Sequence, residues 1–224
     1  VAVLESLASA DPSFRRELGI THQMIIHALA GSKDREAALA SYARATGIQE
    51  ALVAAEPSNL AMKRELAFTH ADMGGFLDWS GDPQGALACH GRALPLFEEI
   101  VQADPKNADG RLMLAETLNN LGYLEVVTGE RDSGRAHLDQ SLRMLEASAA
   151  ADPGNARARL ALARVYESLG TAWLASDRVR ALNWYRKCRD SYRVLEKEGA
   201  LGPQLAAELA AVEKKLGAAS PAAE

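Results

Sequence analysis

The chain has 224 residues, 48% hydrophobic and 25% charged, with a formal net charge of −5. It is long and apolar enough for a sizeable core. Its acidic balance, with lysines and arginines read as thinly spread, excludes a nucleic-acid binder, which needs clustered cations. No apolar run approaches the roughly 18–20 residues of a membrane span, and no segment has the pattern of a signal peptide. The expected compartment is the cytoplasm. Cys89 and Cys188 read there as small buried residues, not as a disulfide framework.

Strand-type alternation of β-branched residues is nearly absent, and alanine, the best helix former, is abundant; the chain reads as all-α. An acidic residue followed by proline recurs along it: Asp11-Pro12, Glu56-Pro57, Asp104-Pro105 and Asp152-Pro153. The last two intervals are 48 residues and the first is 45. A fixed period of this size marks a stacked repeat.

Taken in order, residues 1–10 read as the end of a second helix of an earlier unit, because Val3-Leu4-Glu5 matches Leu96-Phe97-Glu98 in register. On this reading the chain is a segment of a longer protein. Four units follow, at 11–55, 56–103, 104–151 and 152–200, each of two helices. The residue before proline is pushed out of the α region, so Glu56, Asp104 and Asp152 should end helices. Asn59, Asn107 and Asn155, two after each proline, should cap the next ones. Gly81 and Gly129 should close first helices in the left-handed conformation. Asp82 should then cap a second helix that opens on Pro83. Residues 201–217 read as a C-terminal capping helix and 218–224 as a disordered tail. The whole of 1–217 is expected to be one repeat domain.

Within the units a second ladder appears. The second carries His70-x2-Met73-Gly74-x2-Leu77, then Ala86-x3-His90. The third carries Leu118-x2-Leu121-Gly122-x2-Glu125, then Gly134-x3-Leu138, and the fourth Tyr166-x2-Leu169-Gly170-x2-Trp173, then Ala181-x3-Tyr185. The first carries His22-x2-Ile25-Ile26-x2-Leu29, then Ala38-x3-Tyr42. This ladder resembles the tetratricopeptide repeat over almost the whole chain. Its period exceeds the family's roughly 34 residues by about two turns in each helix, which nearly preserves the facing of every side chain. The resemblance implies a right-handed superhelical solenoid of antiparallel helix pairs, about nine to ten helices in all. The string Leu52-x3-Glu56-Pro57-x-Asn59, then Arg64-Glu65-Leu66-Ala67, is further similar to arrays C-terminal to the catalytic domain in bacterial eukaryotic-like serine/threonine kinases. No kinase motif occurs in this chain.

Little here points to chemistry. His22 and His70 share one repeat slot and read as interior packing, as does His90 in a slot where the family has Phe. Cys89 and His90 are adjacent on a helix and diverge, so they do not form a nucleophile–base pair. Cys188 shares a small-residue slot with Ala93 and Ser141. No metal, cofactor or catalytic site is expected. The tetratricopeptide resemblance implies instead that first helices line a concave groove. The groove residues would be Gln23 and His27; Phe68, Asp72 and Trp79; Glu116, Asn119, Asn120 and Tyr123; and Arg164, Glu167 and Thr171. Asn120 and Arg164 match two slots of family members that clamp a C-terminal carboxylate, but the lysine slots do not match. The expected function is a scaffold that binds a peptide or protein partner. The alternative is a regulatory or self-association region of a bacterial kinase.

Overall fold

The computed structural model describes residues 2–29, 34–199 and 202–219, which form α-helices and, among the described residues, no strand. The helices are α1 (Ala2–Ala10), α2 (Arg15–Leu29), α3 (Arg35–Ala55), α4 (Leu60–Trp79) and α5 (Pro83–Ala103). They continue with α6 (Ala108–Thr128), α7 (Arg131–Ala151), α8 (Ala156–Trp173), α9 (Arg178–Lys197) and α10 (Pro203–Ala219). A 3-10 turn, Pro12–Phe14, links α1 to α2. Residues 220–224 of the expected tail lie outside the described residues. None of these helices is long and apolar enough to cross a membrane.

The helix ends follow the predicted punctuation. Glu56, Asp104 and Asp152 are C-caps whose backbone N–H groups donate to Leu52, Ile100 and Ser148 carbonyls. The Asn59 side chain accepts from the Ala61 and Met62 N–H groups, Asn107 from Gly110 and Asn155 from Ala158. Each satisfies an amide that the first helical turn leaves without a partner. Gly81 and Gly129 take φ of 84° and 111°. Asp82 caps α5 by accepting from the Gly85 N–H at 2.9 Å. Asp34 and Asp177 do the same for α3 and α9, at ends that carry no proline marker. The sequence reading did not anticipate Pro95 inside α5. Proline cannot donate to the carbonyl four residues back, but that residue is the exposed Gly91, where water can serve.

The chain divides into two compact units, Val1–Gly110 and Arg111–Glu224. In the first, α2 packs on α3, α3 on α4, α4 on α5, and α2 directly on α4. In the second, α7 packs on α8, α8 on α9 and α9 on α10. The core is drawn from the repeat slots: Ala67, Ala115 and Ala163 are fully buried, as are Met73 and Leu169, and Leu121 is buried. The glycine slot explains why each pair is close. A Cβ on Gly74 would stand 2.6 Å from the His90 ring, and one on Gly170 2.4 Å from Tyr185. On Gly122 it would meet the Gly134 carbonyl at 2.7 Å and Leu138 at 2.8 Å. In the second to fourth units the ladder's two halves, the x2-Gly string and the small-residue-x3-large string, are thus the two sides of one helix–helix contact.

Candidate interaction face

In the first unit the expected groove residues of α2 and α4 meet one another. Gln23 donates to Asp72 Oδ2 at 3.0 Å, and His27 Nδ1 lies 3.9 Å from Asp72 Oδ1. Burial raises the Asp72 pKa, against the Gln23 hydrogen bond and the His27 charge. One row further along, Arg16 pairs with Glu65, two N–H groups on one carboxylate. Phe68 is half-buried, edge-on to Phe97 at 5.6 Å, with the Arg64 guanidinium 5.3 Å above its ring. Trp79, at the end of α4, is half exposed.

In the second unit four expected residues line one depression of about 180 Å³: Glu116, Asn119 and Asn120 of α6, and Arg164 of α8, over a floor of Leu145 and Ala161. Glu116 accepts from Arg157 at 2.9 Å. Asn119 Oδ1 is buried and accepts no hydrogen bond. Tyr123 stands half-buried on α6, one turn beyond Asn119. The α8 residues are held by α10, a contribution that the sequence reading missed. Arg164 pairs with Glu208 at 3.0 Å, and Tyr192 Oη donates to the same carboxylate at 2.6 Å. Burial pushes the Glu208 pKa up, but these two partners outweigh it and hold it below the usual carboxylate range. Lys215 reaches Glu167 at 2.6 Å. Thr171 donates to the Glu167 carbonyl and meets Tyr185 Oη at 3.2 Å. Gln23–Asp72, Arg16–Glu65 and Lys215–Glu167 join residues 48 or 49 apart. A search for complementary residues one repeat apart would have found them.

The other polar side chains are packing groups. His22, His70 and His90 are buried. Burial depresses the pKa of all three, to about 4 for His70 and His90. Tyr42 Oη lies 2.7 Å from His70 Nδ1 and accepts from Arg92 at 3.3 Å. Cys89 turns toward Tyr42, at 3.9 Å, while His90 packs on Gly74. The two side chains diverge, as the helix requires. Burial raises both thiol pKa values. Cys188, Ser141 and Ala93 share full burial in their common slot. His137 and Glu125 form a pair at 2.7 Å that the sequence did not announce, with Ser133 donating to the other carboxylate oxygen. No group of three His, Cys, Asp or Glu among the described residues could hold a metal.

No family model and no curated protein matches the sequence. The structure is similar to the crystal structure of BtubC (BKLC) from P. vanneervenii, with a TM-score of 0.68 over 97% of this chain and 78% of that one, at 19% identity. The fold is a helical-repeat array. The MamA protein aligns over 81% of this chain and 98% of its own, at 17% identity, with a TM-score of 0.29 that is too low to bear on the fold.

Proposed function

We propose that this chain is a non-catalytic scaffold that binds a peptide or protein segment on its first-helix face. The observation that carries the reading is the depression beside Asn119 and Asn120. Glu116, Asn119, Asn120 and Arg164 converge on it over an apolar floor of Leu145 and Ala161. The main chain of an extended segment offers donors and acceptors to such polar walls, and Asn120 stands exposed at the rim to meet them. Glu116, Arg164 and Glu167 are held by Arg157, Glu208 and Lys215, which sets the shape of the face. The reading includes the four divisions at 11–55, 56–103, 104–151 and 152–200, a cytoplasmic setting and no cofactor. The kinase-associated alternative rests on the Leu52 to Ala67 string alone.

The test is selection of binders from a random peptide display library, followed by fluorescence anisotropy with the selected peptides. Asn120→Ala and Tyr123→Ala should each weaken binding by about tenfold, the scale of one lost hydrogen bond or aromatic contact. Circular dichroism should stay unchanged. Undiminished binding by both variants counts against the reading.

A further inference from the structure

A repeat protein supplies its own controls, since equivalent helices build the same packing and differ only where something else is asked of them. The second helices α3, α5 and α7 carry net charges of 0, −1 and 0. Helix α9 carries seven Lys and Arg against Asp190 and Glu196, a net +5 in a chain of −5. The cations are therefore not thinly spread. Packing does not require them: the buried side of α9 is Ala181, Leu182, Tyr185, Cys188, Tyr192 and Leu195. The basic residues occupy its exposed side, except for the half-buried Arg189.

Among the described residues, Arg180, Arg186 and Lys187 have no carboxylate partner. Arg186 donates only to the Asn183 side-chain carbonyl, at 3.0 Å. Lys187 sits 4.6 Å above Trp184 and 5.4 Å above Tyr166, which are stacked on each other. Arg180 lies 3.7 Å over Trp173, with Arg135 also on that ring at 4.0 Å. Arg180 and Lys187 are two turns apart and share a stripe, as do Arg186 and Arg193 beside it. The aromatic contacts hold Arg180 and Lys187 in place, so these two have little side-chain entropy left to lose on binding.

We infer that the outer face of α9 is a second interaction surface, separate from the first-helix face, that docks an acidic protein segment. Charge complementarity selects the class of partner, and the face itself selects among polyanions. Asp190 pairs with Arg189 at 2.7 Å, and that neutral pair breaks the run of free cations that a continuous phosphate backbone would follow. Trp184 and Tyr166 spend their faces on each other and on Lys187, leaving no platform for a base. A flat anionic membrane would call on the whole helix side, where Arg189 and Arg193 are already paired with Asp190 and Glu213. A protein segment with discrete carboxylates can place them between Arg180, Lys187, Arg186 and Lys197 and leave Asp190 clear.

The test uses the whole chain and a fluorescein-labelled 20-residue polyglutamate peptide, read by anisotropy at two salt concentrations. Arg186→Glu with Lys187→Glu should weaken binding roughly tenfold or more, with the wild-type affinity falling as salt rises. Arg186→Glu with Lys197→Glu should do the same without touching the aromatic stack. Arg131→Glu, a charge reversal on α7, should leave binding within about twofold, and Asn120→Ala should leave it unchanged, so this result stands apart from the peptide-display result. The inference is overturned if the α9 variants bind polyglutamate as the wild type does, or if Arg131→Glu weakens binding equally. It is also overturned if a single-stranded DNA oligomer or phosphatidylserine vesicles bind more tightly than polyglutamate through the same residues.

Discussion

At the scale of single residues, the buried histidines are where the sequence departs most from an apolar core. His90 fills a slot that holds Leu138 in the third unit and Tyr185 in the fourth. It is buried against Gly74, with Nδ1 lacking a partner and a pKa pushed down to about 4. An unfolded histidine titrates near 6.5. As pH falls from about 6.5 towards 4, the unfolded chain takes up a proton that the folded His90 refuses, so stability is lost across that window. The loss from His90 alone reaches roughly 3 kcal/mol at the acid end. His90→Leu places the third unit's own residue against the second unit's glycine. It should leave stability at pH 7.5 within about 1 kcal/mol. It should also make the urea midpoint distinctly less sensitive to pH between 6.5 and 4.5. An unchanged pH slope in the variant would show that His90 is not the group responsible.

At the scale of elements, the two sides of each helix pair were legible as letters before they were legible as a contact. The x2-Gly and Ala-x3-aromatic strings could be aligned across units from the sequence, and so could the Asn caps and the left-handed glycines, because each is a local requirement of the backbone. What the letters could not give is distance. Gly122 and Gly134 lie face to face, so that a Cβ on either would stand 2.7 or 2.5 Å from the other's carbonyl oxygen. Gly75 sits exposed in α4 with nothing within 4 Å of where its Cβ would be. Glycine in a helix interior costs roughly 0.5–1 kcal/mol relative to alanine. Gly75→Ala should therefore stabilise by about that amount, whereas Gly122→Ala should destabilise by roughly 1–3 kcal/mol through overpacking against backbone that cannot give way. Chemical denaturation of both variants checks the pair, and a stabilising Gly122→Ala would refute the close approach. The candidate faces were legible more unevenly. The α6 and α8 residues of the first-helix face were found through the repeat register, but α10 was read only as a cap, so its hold on Arg164 and Glu167 was missed. The basic side of α9 was hidden by averaging charge over the chain, when the informative comparison lay between equivalent helices.

At the scale of the whole molecule, the repeat slots are filled differently in the two compact units. His22, His70 and His90 all lie in Val1–Gly110, and burial depresses the pKa of each. In Arg111–Glu224 the same slots hold Leu118, Tyr166, Leu138 and Tyr185, and the one histidine, His137, is partly exposed beside Glu125. In the first unit burial raises Asp72 and Asp78, which oppose the histidines as pH falls, so the three histidines must outweigh those two carboxylates there. In the second, Glu208 is held below the ordinary range, so its contribution is present above the unfolded value and is lost only as pH falls through that lowered pKa. Between pH 6.5 and 4.5, therefore, the histidines titrate in the unfolded chain while Glu208 keeps its charge. Mild acid should weaken the first unit before the second. Hydrogen exchange read by mass spectrometry, corrected for the intrinsic rate at each pH, should show protection falling in α2, α4 and α5 by roughly tenfold or more relative to α8 and α9. His70→Leu together with His90→Leu should remove most of that difference, because the two most strongly depressed of the three buried histidines are then gone while the helices keep apolar residues in those slots. Equal loss of protection in both units, or earlier loss in the second, would mean that the buried histidines do not set the acid response. The measurement separates the two units without any ligand, since each supplies its own peptides to the same experiment.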